Sequence, residues 1–443
     1  MSITSRRNRL RLTLSPAESG GVMAGDGSFF RETRIGNGLR IITEEIPGAH
    51  SVSLGFWIKT GSRDEPAKKA GITHFLEHLI FKGTRSRSAR EIAETFDSIG
   101  GDLNAFSSKE YTCLYARVID HHLDVAVDVL SDLFLHPTLK QADLEAERTV
   151  ILEEINMHED APAELVHDLF DSAVFAGHPL GRRVIGTAES IRATSPEDAR
   201  DYWQRFYTAP NLVVAAAGSV GHNKLVEQIR ASFRRRSGGA NGRRIRRPVV
   251  RRRTLVVEKD TQQAHICYGF EGLSVKSEDR FAMSIIDTVL GGGMSSRLWQ
   301  NIREKYGLVY AVYSFRGQYA ETGTMGVYAG TAPDKAEKVL KLIQREINSL
   351  ASRGITKKEL ARAKEQLKGS LVLGLEDVTA RMNRLGRNAL YGTEILSINE
   401  MVDRVDRVSL ADVSRVAGDY LNRPRVLTVI GPFSKHRFDR ITV

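Results

Sequence analysis

The sequence predicts an α+β protein of two homologous domains joined by a basic linker, and three observations lead there. Strand-like and helix-like stretches are mixed without strict βα alternation, which argues against a doubly wound sheet. A chain of 443 residues exceeds what one hydrophobic core normally organises. Segments of the second half repeat segments of the first, on either side of an arginine-rich stretch.

In chain order, residues 1–28 carry Arg6, Arg7, Arg9 and Arg11, with no acid before Glu18, then glycines from Gly20 to Gly27. No apolar core of a secretory signal is present. This composition suits a mitochondrial transit peptide and a basic disordered tail on a bacterial protein alike. We read it as the tail, with a cytoplasmic location expected, or the mitochondrial matrix for a eukaryotic source. Folding is expected to begin near Thr33, where Asn37-Gly38 between short apolar runs signals a hairpin. Residues 52–58 predict a strand, and a helix around His74 follows. Residues 89–99 read as a helix closed by Gly100-Gly101. Strands are expected at 103–106 and 111–118, joined by polar Ser107 to Glu110, and helices at 121–135, 143–158 and 163–175. Residues 213–217 close this first domain, 29–233, as a strand ending at Gly218.

Residues 234–253 hold ten arginines, equal to the entire formal net charge of +10, so the domains at 29–233 and 254–443 are together near neutral. The run has no aromatic interleaving and no nucleic-acid fold motif, so a solvated interdomain tether is expected, with acidic partners as an option and no nucleic-acid partner. No apolar run approaches the roughly 18 residues of a membrane span. Cys113 and Cys267 lack the spacing of a disulfide framework or a zinc knuckle.

The chemistry is concentrated in Thr73-His-Phe-Leu-Glu-His78. On a helix His74 and His78 are one turn apart and Glu77 shares their face, while Phe75, Leu76, Leu79 and Ile80 form the stripe that buries the other side. Two neutral imidazoles one turn apart chelate a borderline-soft ion such as zinc, and a neighbouring carboxylate can take a proton from water held there. The order His-x-x-Glu-His is the inverzincin signature. Read blandly, the same residues form a polar, solvated helix face, so a third ligand has to decide. Downstream, Glu147, Val150, Ile151 and Glu154 follow i, i+3, i+4, i+7 spacing, two carboxylates flanking two aliphatics expected to be buried. Acids on a core-facing stripe are costly unless paired or metal-bound; alternatively both lie at its edge and reach water.

In the second half, 265–270 echoes 52–57, 425–431 echoes 211–218, and 360–371 overlays 144–155. Ser370 then stands where Glu154 does and Ala363 where Glu147 does, and Ile285-Ile-Asp-Thr-Val-Leu290 replaces the His-x-x-Glu-His helix. Gly291-Gly-Gly-Met-Ser-Ser lacks the Gly-Lys-Ser/Thr ending of a phosphate loop.

From about Thr33 to the C-terminus the chain resembles the M16 (pitrilysin and mitochondrial processing peptidase) family of zinc metallopeptidases. The likeness rests on His74-x-x-Glu-His78 and on Glu147-Arg-Thr-Val-Ile-Leu-Glu-Glu154, whose last residue lies 76 positions after His78. The resemblance implies His74, His78 and Glu154 as ligands of one Zn2+ per chain, Glu77 as general base, and Glu147 as a carboxylate supporting the ligands. Helical phase keeps Glu153 off that face. Arg303-Glu-Lys-Tyr-Gly-Leu-Val-Tyr310 matches the family's Arg…Gly-Leu-x-Tyr element, which implies roles for Arg303 and Tyr310 in substrate binding and transition-state stabilisation. Asn104, Ala105 and Phe106 would form the sheet edge on which an extended peptide is read. The implied fold is a duplicated α/β sandwich forming half of a clamshell, and the implied assembly is a homodimer in which a second copy completes the site. The expected activity is zinc-dependent endopeptidase action on extended or unfolded peptides. The alternative is a non-catalytic core or scaffold subunit; such relatives typically lose a ligand or the base, and this chain keeps each.

Overall fold

The computed structural model describes residues 21–23, 27–234, 238–240, 242–243 and 245–438. Of the tail expected at 1–28, residues 1–20 and 24–26 lie outside the described residues. Gly21–Met23 departs from the expectation: it is a strand, β1, paired antiparallel with β2 (Phe29–Arg34). The Asn37-Gly38 turn, with Gly38 at φ 91°, leads into β3 (Arg40–Glu45), so the hairpin signal holds. Then come β4 (Ser51–Ile58), α1 (Ile72–Ile80) and α2 (Ala89–Ser98), which opens on a Ser88/Glu91 capping box. The half continues through β5 (Asp102–Ser107), β6 (Thr112–Ile119), α3 (Leu123–Leu135), α4 (Gln141–Glu159) and α5 (Pro162–Val174), which starts with proline at its first position. It ends with α6 (Ala188–Arg192), α7 (Pro196–Phe206), β7 (Leu212–Gly218) and α8 (His222–Ser232).

The second half runs β8 (Arg253–Glu258), β9 (Ala264–Gly272) and α9 (Arg280–Gly291), then a π-helical turn at Trp299–Glu304. After it come β10 (Val309–Gln318), β11 (Gly323–Thr331), α10 (Ala336–Arg353) and α11 (Lys357–Gly374). It closes with α12 (Val378–Tyr391), α13 (Ile398–Asp406), α14 (Leu410–Leu421) and β12 (Val426–Gly431). None of the described helices is long and apolar enough to cross a membrane.

The sheets show the duplication. One has the order β1-β2-β3-β7-β4-β6-β5, the other β10-β11-β9-β12-β8. The parallel pair β3–β7 has its counterpart in β8–β12, and the antiparallel run β7-β4-β6-β5 in β12-β9-β11-β10. The echo of 52–57 in 265–270 is out of register by one residue. Val52, Leu54, Phe56 and Ile58 face one core, and their counterparts facing the other are Ala264, Ile266, Tyr268 and Phe270. A one-residue slip exchanges the two faces of a strand. Sequence cannot detect it here because β4 and β9 are buried on both faces and show no alternation.

The outer faces are covered by exchange. Met382, Leu385 and Ala389 of α12 pack on Trp57, Cys113, Val213 and Ala215 of the seven-stranded sheet. Val166, Phe170 and Val174 of α5 pack on Cys267, Tyr328, Val426 and Ile430 of the other. Arg381 and Arg384 of α12 grip Glu44 at 2.6 and 2.8 Å, an acid fully buried in β3. The arginine-rich stretch is not simply solvated either. Arg243 is partly buried, donating to Asp64 at 2.7 Å and to Glu110 at 3.2 Å. Glu110 also binds Arg63 at 2.5 Å and accepts from Tyr391 at 2.8 Å, and Arg63 reaches Glu321 across the halves. A desolvated guanidinium persists because several acceptors surround it.

Candidate metal centre

Helix α1 carries no side-chain cap of its own. Gly71 sits at its start with φ 90°, where an added Cβ would run into the Ile185 carbonyl. Glu65, 4% exposed, instead accepts from the N–H groups of Gly71 at 2.7 Å and Thr73 at 2.9 Å. A negative group there suits the positive end of the helix dipole. Phe75, Leu76, Leu79 and Ile80 are fully buried and fix the helix rotation, which leaves His74, Glu77 and His78 on the partly exposed face.

Helix α4 packs against α1, and its Leu144, Ile151 and Ile155 join the core that holds Phe75, Leu76, Leu79 and Ile80. Val150, expected to be buried with Ile151, is 45% exposed. It lies a further 100° around the helix, on the far side of the buried line through 144, 147, 151 and 155. Glu147 and Glu154 both reach α1. His74 Nε2 stands 3.7 Å from Glu154 Oε2, and His78 Nε2 stands 3.7 Å from Glu154 Oε1. One donor atom from each of the three lies within 4.8 Å of the others, the one such grouping among the described residues. Glu153 is exposed and outside it.

Two imidazole nitrogens and a carboxylate form the donor set that zinc takes with a position left for water. Burial, helped by His78, pulls the His74 pKa down to about 4, so the ring is neutral and able to ligate. Burial raises the Glu77 carboxyl, with Ser107 and His78 acting against it, and its buried Oε2 has no hydrogen-bond partner among the described residues. Buried polar atoms normally have one. The residues present therefore fit the metal. His78 Nδ1 is 2.9 Å from Glu147 Oε2, and the other oxygen of Glu147 is 2.5 Å from Lys82 Nζ. Burial alone would raise the Glu147 carboxyl, but Lys82 and His78 outweigh it and hold it below its usual range. Lys82 and Glu65 escape the sequence reading, although Lys82 falls one helical turn after His78.

Arg303 and Tyr310 form a second cluster. The Arg303 guanidinium lies 4.0 Å from the Trp299 ring centre and 5.6 Å from that of Tyr310, which is 78% exposed. Among the described residues no hydrogen bond or ion pair joins them to the histidines or glutamates. Asn104, Ala105 and Phe106 lie on β5, the outermost strand of its sheet, next to α1. A cleft of about 600 Å3 runs along that edge, lined by Phe81, Ile92, Phe96, Leu103, Asn104 and Tyr115.

The second half holds the same frame without the donors. The buried positions of α9 repeat those of α1 at a constant offset, so Ser284, Asp287 and Thr288 stand for His74, Glu77 and His78. Asp287 accepts from Ser314 at 2.6 Å and pairs with Arg316 at 2.9 Å, both on β10.

Comparison with known proteins accords with this geometry. A family model described as insulinase (peptidase family M16) matches residues 40–188, and one described as peptidase M16 inactive domain matches 193–367. An uncharacterized zinc protease of Streptomyces coelicolor is 44% identical over 93% of this chain and 91% of its own length. Another, from Bacillus subtilis, is 42% identical over 89% and 97%. Among solved structures, a protease from Helicobacter pylori superposes with a TM-score of 0.85 over 91% of this chain and 99% of its own, at 23% identity, a likeness of fold. With both halves matched and relatives above 40% identity along about nine-tenths of its length, the chain belongs to peptidase family M16.

Proposed function

We propose that the protein is a zinc-dependent endopeptidase acting on extended or unfolded peptides. The observation that carries this reading is the convergence of His74, His78 and Glu154 beside the buried carboxyl of Glu77. The names of the relatives as zinc proteases support it. Zinc, when bound, lowers the pKa of a coordinated water to about 7 and polarises a carbonyl. The protein's own groups supply the rest. The two Nε2 atoms and the Glu154 carboxylate would hold the zinc. Glu147 holds the His78 ring from behind through Nδ1. Glu77 takes a proton from the attacking water and returns it to the leaving amine. The free edge of β5 pairs with the peptide backbone, and the cleft beside it receives alternate side chains.

Arg303 and Tyr310 belong to this scheme through a second copy of the chain. The ligands lie wholly in the first half and this pair wholly in the second, so a homodimer would set one half against the other and shield the reaction from water. The test is metal content together with mass spectrometry of a peptide library after incubation, with and without chelator. Glu77→Gln is expected to keep the metal and lose roughly 10² to 10⁴ in turnover. Comparable turnover in the variant would remove Glu77 from its role. Because the second family model describes an inactive domain, a non-catalytic subunit is the second reading; full metal occupancy without any cleavage would favour it.

A further inference from the structure

Lys82 belongs to none of the motifs above. The chain leaves α1 by a tight turn in which Phe81 N–H reaches the His78 and Leu79 carbonyls and Lys82 N–H reaches that of Leu79. From there Lys82 Nζ meets Glu147 Oε1 at 2.5 Å, while Glu147 Oε2 lies 2.9 Å from His78 Nδ1. We propose that Lys82 is a positioning residue of the metal centre, locking the Glu147 carboxylate so that the His78 ring is held in its ligating tautomer. The proposal rests on the reading that His74, His78 and Glu154 hold zinc.

The argument has three parts. An imidazole whose Nδ1–H is accepted by a carboxylate presents an Nε2 lone pair, and carboxylates behind ligating histidines tune both orientation and basicity. The carboxylate must itself be fixed. Glu147 has 7% of its side chain exposed, and Lys82 is the cation on its other oxygen. Without Lys82 the buried Glu147 carboxylate would keep only the His78 ring as partner, which is the costly way to break a buried pair. Secondly, the two histidines are held unequally. Among the described residues His74 Nδ1 is buried with no hydrogen-bond partner, so the orientation of the pair depends on the anchor behind His78. Thirdly, the second half has lost the relay as a unit. At the offset that matches α9 to α1, Lys82 corresponds to Gly292 and His78 to Thr288, and Ala363 on α11 takes the place of Glu147. The frame is retained there, whereas the ligands, the carboxylate and the lysine are all absent.

Zinc affinity, measured by competition with a chromophoric chelator, tests this without reference to turnover. Lys82→Met is expected to weaken zinc binding about 10- to 100-fold, the range for removing a partner behind a ligand. Lys82→Arg, which keeps a charged donor for Glu147, should restore most of it. In a Glu147→Gln background, Lys82→Met should add little, because residues acting through one another are non-additive. Melting in excess chelator reports whether each variant folds, and Lys82→Gln carries the same expectation should the methionine variant fail. Wild-type affinity in Lys82→Met and Lys82→Gln, or full additivity with Glu147→Gln, overturns the role of Lys82 alone. A wild-type chain that binds no zinc overturns the functional reading and this one together.

Discussion

A carboxylate at the head of α1 makes the helix that carries His74 and His78 sensitive to pH. Burial raises the Glu65 pKa to about 7, against the lowering pull of Thr73 and Gly71. Its folded value lies above the ordinary 4.5, so its contribution to stability is complete below that value and is lost as pH rises through about 7. His222 works in the opposite sense. Buried between Thr33 and Thr43, its pKa is pulled down to about 4, so it costs stability as pH falls below 6.5. In excess chelator, wild-type melting temperature should fall relative to Glu65→Gln between about pH 4.5 and 7. Parallel profiles would show that Glu65 does not titrate in that window. The contrast with the ligands shows what sequence can carry. His74, Glu77 and His78 are legible because helical spacing puts them on one face of a helix, and Glu154, on a second helix, is legible through the family resemblance. Glu65 and Lys82 are not, because their partners are two backbone N–H groups and a carboxylate on another element.

At the scale of elements, the close seating of α12 on the seven-stranded sheet depends on absent side chains. A Cβ on Gly386 would overlap the Trp57 ring, and one on Gly55 would meet the Met382 sulfur, which accepts from the Trp57 indole at 3.2 Å. Gly386→Ala should therefore destabilise the protein by about 1–3 kcal/mol through overpacking, although alanine is the better helix former. Denaturant unfolding measures it, and an unchanged midpoint would mean that α12 shifts without cost. The repeat of strands and helices is readable from sequence because each copy keeps its own apolar runs. The exchange of α5 and α12 is not. An amphipathic helix advertises that it needs a sheet, and nothing in its pattern says which of two similar sheets it will cover.

For the whole molecule, the proposed homodimer is the property to test, because Arg303 and Tyr310 form a cluster apart from the grouping of His74, His78 and Glu154 among the described residues. Glu77→Gln and Tyr310→Phe homodimers should each be weakly active, and re-equilibrated mixtures should regain activity, because each heterodimer contains one undamaged composite site. If the site is completed within one chain, mixing restores nothing. The exchanged helices have a consequence during synthesis. Strand β7 ends at Gly218, but the helix that covers the outer face of its sheet begins only at Val378. At ribosomal speeds of about 5–20 residues per second, the nascent sheet waits roughly 8 to 30 seconds with Trp57, Val213 and Ala215 uncovered. The first half cannot finish folding on its own schedule, so changes on that face should be felt in the yield of the newly made chain before they are felt in the finished protein.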